Sequence, residues 1–398
     1  MAKVLFINGP ASGHVHPTLG LVEELVAAGE QVVYLCSEPF RRLVERPGVT
    51  FIAYEDFLSR EDPFETRHFL SLVIKILGAY DVILPCVRQA AADHSFDYLV
   101  HDSMYGCGLV VADLLGLPHI ATCTSLIRAE RLSGSAGSAA PMKDNLQLVK
   151  QYAALAARIR ADHGIRRKLE IDRVFFNEGM LNLVFTSALF QPDHERLGSS
   201  YKFVGASLAQ RRGIQGELPP GVGRSGRRLV YISMGTMFND VAELYMLLFE
   251  ALASLDADVL LAAGSRVDLG ELRGIPGNFT VAARMPQLEI LRHADLFITH
   301  GGMNSVNEAL VHGVPLLVIP MAADQPINGD RVQALSAGLR LDRETLTSAR
   351  LREAADRLLA ADGYRRNSAA IGESLRAAGG HRTAMAHVRA FKEQHRLR

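Results

Sequence analysis

The chain has 398 residues, and its 43 Lys plus Arg balance 43 Asp plus Glu, which excludes a global field that would draw it to nucleic acid or an anionic membrane. An apolar fraction of 48% beside 22% charge excludes a disordered chain, and the length predicts two domains of about 100–200 residues each. The start is a strand-like run and no apolar stretch is expected to reach the ~18 residues of a membrane span, so neither a signal peptide nor a span is expected and the chain reads as cytoplasmic.

Taken in order, Val4–Asn8, Val32–Cys36, Thr50–Ala53, Tyr98–His101, His119–Thr122 and Leu183–Phe185 are predicted strands. Amphipathic runs between them, Thr18–Ala28, Phe64–Ala92 and Met104–Leu115, are predicted helices. The segment Leu208–Arg228 is rich in Gly, Pro and Arg and reads as an interdomain linker. Alternation then resumes with strands at Leu229–Ile232, Val259–Ala262, Phe279–Val281, Leu296–Thr299 and Leu316–Ile319. Helices are expected at Val241–Leu255, Asn304–Val311 and Arg331–Ala337, followed by a helical tail, Leu351–Arg398. The class is therefore α/β, with two doubly wound parallel sheets in tandem: residues 1–207, a linker at 208–228, a second domain at 229–380 and a last helix at 381–398 packing back on the first. The cleft between the two domains is the expected ligand site.

The four cysteines, Cys36, Cys86, Cys107 and Cys123, contain no C-x-x-C and read as reduced core thiols, with no zinc site. Asp256-Ala257-Asp258 lies between a helix and an apolar strand and reads as a turn, although D-x-D is a metal-binding pattern elsewhere.

Three stretches carry candidate chemistry. Gly9–Pro17, GPASGHVHP, follows the first strand; it lacks G-x-G-x-x-G but holds His14 and His16, which leaves open a nucleotide turn or a base. Asp102 closes the strand ending Val100-His101-Asp102 and is expected near that loop, and a carboxylate beside an imidazole is the minimum for general-base catalysis. In the second half, His300-Gly301-Gly302 runs into a helix start bearing Asn304 and Ser305, an anion site by its amides and dipole. His300 is expected to add a donor or a positive charge. Glu308, four residues after Asn304 and about 6 Å along the axis, is spaced to meet a ribose diol when Asn304 meets a diphosphate. Asp324 and Gln325, past the next strand, can bind sugar hydroxyls. Ser233, Gly235 and Thr236 can meet a phosphate, and Arg284, Met285 and Gln287 can position a base.

With G-H-V-x-P-x-L at Gly13–Leu19, and H-G-G-M-N-S at His300–Ser305 with Glu308 and Asp324-Gln325, the sequence resembles the inverting nucleotide-sugar glycosyltransferases of the GT-B fold, over nearly its whole length. Within them it looks like the bacterial macrolide and flavonoid branch of the UDP-glycosyltransferases. The resemblance implies a UDP- or dTDP-sugar as co-substrate, no metal and no other cofactor. His14 would be the base and Asp102 its partner. His300, Gly302, Asn304, Ser305 and Thr236 would hold the diphosphate, with Gly301 in the same donor site, Glu308 the ribose, Gln287 the ribose or the base, and Asp324 with Gln325 the sugar. Many relatives have Trp at Arg284; this chain has none, and a planar guanidinium would stack there instead. His16 stands where relatives more often have Asn. The acceptor, a lipophilic natural product, would meet Ser12, Phe57, Phe69, Leu72, Ile76, Ser125, Met142 and the small residues Ser133–Ala140. A monomer or homodimer is expected. Rival readings are a nucleotide-sugar epimerase, a dinucleotide dehydrogenase and a non-catalytic partner of another transferase.

Overall fold

The computed structural model describes residues 2–58, 69–105, 107–127, 146–208, 226–235, 242–264 and 266–398. Its apolar runs become strands buried on both faces, as a parallel sheet between helices requires. The first half holds β1 (Lys3–Ile7), α1 (Ser12–Ala27), β2 (Gln31–Ser37), α2 (Arg41–Val44), β3 (Val49–Tyr54), α3 (Phe69–Gly78), α4 (Tyr80–Asp93), β4 (Tyr98–Asp102), α5 (Gly108–Leu115), β5 (His119–Cys123), α6 (Leu146–Asp162), α7 (Ile171–Phe175), β6 (Leu181–Val184) and β7 (Tyr201–Phe203). These strands pair in the order β3-β2-β1-β4-β5-β6-β7, all parallel.

The second half holds β8 (Arg228–Ser233), α8 (Ala242–Leu252), β9 (Ala257–Ala262), β10 (Phe279–Ala282), α9 (Gln287–Leu291), β11 (Leu296–Thr299), α10 (Met303–Val311), β12 (Leu316–Val318), α11 (Gln325–Ala334), β13 (Gly338–Arg340), α12 (Ser348–Ala360) and α13 (Asp362–Ala377). Its parallel sheet runs β10-β9-β8-β11-β12-β13. The final helix is α14 (Gly380–Gln394). By compactness, one unit comprises Met1–Gln210 with Ala378–Arg398, and the other Arg211–Ala377. In both sheets the strand order reverses at the first strand, so the gaps beyond β1/β4 and β8/β11 are topological switch points, where doubly wound sheets place ligands.

Strand alternation splits the first unit's core in two. Val4, Phe6, Val32, Tyr34 and Val100 face α1 and α14, while Leu5, Ile7, Val33, Leu35 and Leu99 face α3, α4 and α5. Ala384, Met385, Val388 and Phe391 of α14 lie in the first of these cores. Lys392 Nζ lies 2.5 Å from Glu30 Oε1, and the Tyr98 hydroxyl donates to the other oxygen of that buried carboxylate. The amide of Gly380 donates to the Val204 carbonyl at 2.6 Å.

Several elements depart from the sequence reading. α1 starts at Ser12, six residues before Thr18, so His14 and His16 lie in a helix rather than a turn. The predicted helix Phe64–Ala92 is described from Phe69 and is broken at Ala79 into α3 and α4. Together they form one stretch, Phe69–Asp93, that is long and apolar enough to cross a membrane by length and composition, contrary to expectation. Half of its most apolar window is buried within the protein, and Leu70, Val73, Ile76, Leu77, Tyr80, Ile83 and Leu84 are core residues. α5 is shorter than predicted, and α11 begins six residues before Arg331. β6 begins at Leu181, two residues early. The short strands β7 and β13 carry too few residues to show alternation, and the helical tail breaks into α12, α13 and α14. Of the expected linker, 209–225 lies outside the described residues.

Because Phe391 sits in the core of the first unit, Phe391→Ala should lower stability by about 3 kcal/mol in urea unfolding. A loss within experimental error would mean that α14 does not pack there in solution.

Candidate active site

β1 and β4 lie side by side with Ile7 opposite His101, so the chain leaves both strands at one sheet edge. Beyond β1, Ala11 is extended (φ −135°) and α1 starts at Ser12, which puts His14 in its first turn. Asp102 ends β4, fully buried. Its Oδ1 accepts from the amides of Met104 at 2.7 Å and Tyr105 at 2.8 Å, and its Oδ2 lies 2.6 Å from His14 Nδ1. Burial opposes ionisation of Asp102, but the facing imidazole, its hydrogen bond and the two amides hold the carboxyl below its ordinary value. An ionised carboxylate accepts only, so His14 Nδ1 carries the proton and Nε2 carries the lone pair. Thr124 Oγ1 lies 3.1 Å from the same Nδ1. The His14 side chain is 13% exposed against 0% for Asp102, so the imidazole alone meets solvent.

Tyr105 packs edge-on to His14 with centroids 4.8 Å apart. A Cβ at Gly9 would fall 2.4 Å from Tyr105 Cδ2, so this approach requires glycine there. His16 lies two residues on and half-buried, and the imidazole that meets Asp102 is that of His14. Behind the pair, buried His101 donates from Nδ1 to the Asp102 carbonyl at 3.0 Å and accepts at Nε2 from His119 Nδ1 at 3.0 Å. Burial, with help from His119, pushes His101 down to about 3 against the pull of Asp102, and burial lowers His119 as well.

The second unit has its own cluster at the other switch point. Thr299 of β11 pairs with Ser233 of β8, and His300 follows. A Cβ at Gly235 or at Gly302 would come 2.6 Å from the His300 ring, and one at Gly301 (φ +87°) 2.5 Å from Val318 Cγ1. The glycines thus seat the imidazole. Burial pushes His300 down to about 4 despite the pull of Asp324 and a bond to the Ser233 backbone, so of the two expectations, a donor or a positive charge, the charge is disfavoured, and the one N–H of the neutral ring is engaged by the Ser233 backbone. Gly302 precedes α10 and offers no side chain to compete for the amides that open the helix. Asn304 and Ser305 are half-buried beside it.

Glu308 is 3% exposed, and its Oε2 accepts from Gln287 Nε2 at 2.7 Å. Gln287 Nε2 also lies 3.4 Å from Ser305 Oγ, and Tyr231 donates to Gln287 Oε1 at 3.5 Å. Ser305, Glu308 and Gln287 therefore meet, whereas Arg284 is exposed and Met285 buried. Gln325 Oε1 accepts from the amides of Met321 (2.7 Å) and Ala322 (2.9 Å), so it braces its loop and only its amide nitrogen is left to donate. Asp324 Oδ2 accepts from Asn328 Nδ2 at 3.2 Å, and the same nitrogen bonds the Gly301 carbonyl at 2.9 Å.

Of the acceptor candidates, Phe57 stacks with Tyr54 (6.0 Å) and tilts against Tyr105 (6.1 Å), which brings it toward His14. Ser12 and Ser125 are half-buried. Ile76 is a core residue with half-buried Leu72 packed against the same core, and Phe69 is exposed beside Phe175. Thr236, Met142 and Ser133–Ala140 lie outside the described residues. Arg227 bonds Asp256 at 3.0 Å and Asp258 at 3.1 Å, which makes D-A-D an ion-paired turn. Among the described residues no cluster of three potential metal ligands occurs. The four cysteines are unbonded to one another, and three are buried. Sequence reasoning missed Asn8, Thr124 and Asn328. Their only sequence signal is a polar residue at or just past the end of an apolar run, or four places after Asp324 on one helix face.

Residues 246–381 match the family model described as the erythromycin biosynthesis protein CIII-like C-terminal domain. The chain is 34% identical to an uncharacterized UDP-glucosyltransferase, YojK, of Bacillus subtilis (strain 168), covering 96% of each chain. It is 32% identical to the NDP-glycosyltransferase YjiC of the same organism, covering 98% of this chain and 97% of that one. The solved structure of the glycosyltransferase of kitacinnamycin superposes with a TM-score of 0.83 at 28% identity, over 99% of this chain and 98% of that chain.

The histidine shifts set a pH dependence. His101 is lowered from 6.5 to about 3, so its contribution to stability is present above pH 6.5 and is lost as pH falls toward 3. Between pH 6 and 4, stability should therefore fall more steeply in the wild type than in His101→Gln, by about 1.4 kcal/mol per pH unit in denaturant titrations. Equal slopes would show that His101 is not held neutral.

Proposed function

Because the chain belongs to the UDP-glycosyltransferases of the GT-B fold, in their macrolide and flavonoid branch, it is a glycosyltransferase, and we propose that it moves a sugar from a UDP- or dTDP-sugar to a hydroxyl of a lipophilic small molecule with inversion. The observation that carries this reading is the 2.6 Å bond from His14 Nδ1 to buried Asp102. It leaves Nε2 able to take a proton. The acceptor O–H gives its proton to Nε2 while its oxygen attacks the anomeric carbon. The bond from that carbon to the diphosphate oxygen breaks on the opposite side, so configuration inverts. Asp102 stabilises the imidazolium that forms.

Negative charge grows on the leaving diphosphate. The amides opening α10, with Asn304 and Ser305, would meet it beside His300, so the proposal needs no metal. Gln287 and Glu308 would take the ribose, and Asp324 with the amide nitrogen of Gln325 the sugar hydroxyls. Arg284 would stack on the base. The name of the Bacillus subtilis relative YojK, an uncharacterized UDP-glucosyltransferase, supports UDP-glucose as donor, and the unpaired cysteines are consistent with a reducing, cytoplasmic setting.

Mass spectrometry of products from UDP-glucose or a dTDP-sugar with phenolic and macrolide acceptors tests the reading, with the anomeric configuration read by NMR. His14→Ala should lower transfer by about 10²–10⁴-fold and leave UDP affinity intact. Wild-type rates in that variant, or a retained configuration, would remove the proposed mechanism. Glu308→Ala should weaken UDP-sugar binding by roughly 10-fold or more in calorimetry, and an unchanged affinity would remove its ribose role.

A further inference from the structure

The helix turn that carries His14 keeps the bonds from the His14 and Val15 amides to the Ala11 carbonyl, but its sequence is unusual for a helix start. Ala11, before α1, has no side chain to cap the opening amides. Gly13 precedes His14, and Pro17 lies inside the helix, where it offers no N–H to the Gly13 carbonyl four residues back. Such a turn would by itself hold an imidazole loosely.

Asn8 supplies a further restraint. It is fully buried one residue past β1. Its Nδ2 lies 3.1 Å from the His14 carbonyl, 3.1 Å from Thr18 Oγ1 and 2.8 Å from the Tyr34 hydroxyl. Its Oδ1 accepts from the Gly9 amide at 2.8 Å, and its own carbonyl accepts from the Tyr54 hydroxyl. The amide of Asn8 extends the sheet by donating to the Leu35 carbonyl at 3.1 Å. Every polar group of this residue is thereby engaged.

Chemistry fixes the direction of these bonds. An amide nitrogen donates, so the Tyr34 oxygen accepts from Asn8 and turns its own proton to Thr18 Oγ1, 3.3 Å away. Thr18 in turn donates to the Val15 carbonyl at 2.8 Å. Burial pushes the Tyr34 hydroxyl far above its ordinary range, so it keeps its proton. One relay of donors thus starts at Asn8 and ends on the carbonyls of His14 and Val15, at the height where the imidazole leaves the helix.

We propose that Asn8, together with Tyr34 and Thr18, is the positioning residue of the base: it anchors the first turn of α1 to the end of β1 and so aims His14 Nδ1 at Asp102. This rests on the reading of His14 as the base. Asn8 itself need touch no substrate. A residue that merely stabilised the fold would leave the protonation pattern of His14 alone, whereas a positioning residue governs it. If the turn shifts, the bond to Asp102 lengthens and the preference for the Nδ1–H form weakens.

The test uses the full chain with Asn8→Ala, Thr18→Val, Tyr34→Phe and the hydroxyl-retaining Thr18→Ser. For variants folded by circular dichroism, ¹⁵N NMR of the His14 imidazole reports which nitrogen holds the proton, and steady-state kinetics with UDP-glucose report transfer. The wild type and Thr18→Ser should show Nδ1–H. The other three should show a mixture of tautomers and a kcat lower by about 10–100-fold, with UDP affinity unchanged. Folded variants that keep the wild-type tautomer and kcat would overturn the proposal. Should Asn8→Ala fail to fold, Tyr34→Phe and Thr18→Val decide it. Should the wild type transfer no sugar, the functional reading fails, and the tautomer still decides the role of Asn8.

Discussion

The chemistry assigned to this protein depends on one hydrogen bond, from the imidazole of His14 to the buried carboxylate of Asp102. A carboxylate with no exposure is costly unless its oxygens are engaged. Here two amides bind one oxygen and His14 binds the other, so the charge persists and dictates which imidazole nitrogen is protonated. The lone pair of His14 is consequently fixed on Nε2. His101 and His119, lying behind Asp102, are both held toward the neutral form, so they add no competing positive charge near the pair.

Sheet topology makes this bond possible. Both units use the reversal of strand order at a first strand to open a gap where loops diverge. In the first unit the gap receives a histidine from α1 and an aspartate from β4. In the second it receives three glycines, a neutral histidine and a helix start. The two gaps have opposite chemical characters. One holds a histidine bonded to a buried carboxylate, and the other a helix start beside a neutral histidine.

Much of this was legible in the sequence because the elements that matter are strongly patterned. The strand Leu296–Thr299 was read with its observed bounds, and the apolar runs of β1, β2, β4, β8 and β9 differ from the reading by one or two residues at their ends. His14 and Asp102 could be paired because each follows an apolar strand at the same sheet edge. Other features depend on tertiary contacts that no local pattern encodes. The glycine and proline around His14 read as a turn, yet they lie in a helix, with Asn8 Nδ2 3.1 Å from the His14 carbonyl. Glu308 reads as a residue spaced to meet a ribose diol, and the structure buries it with its carboxylate bonded to Gln287 of α9. Gln325 reads as a ligand for hydroxyls, but its oxygen closes the loop before its own helix. Polar residues that stabilise loops and those that bind ligands look alike until their partners are known.

On the proposed mechanism, the charge of Asp102 makes His14 a base. The most direct measurement is kcat for sugar transfer in Asp102→Asn, which keeps the size of the side chain and removes its charge. A fall of about 10²-fold or more, with UDP affinity preserved, is the predicted result. Transfer at the wild-type rate would contradict it.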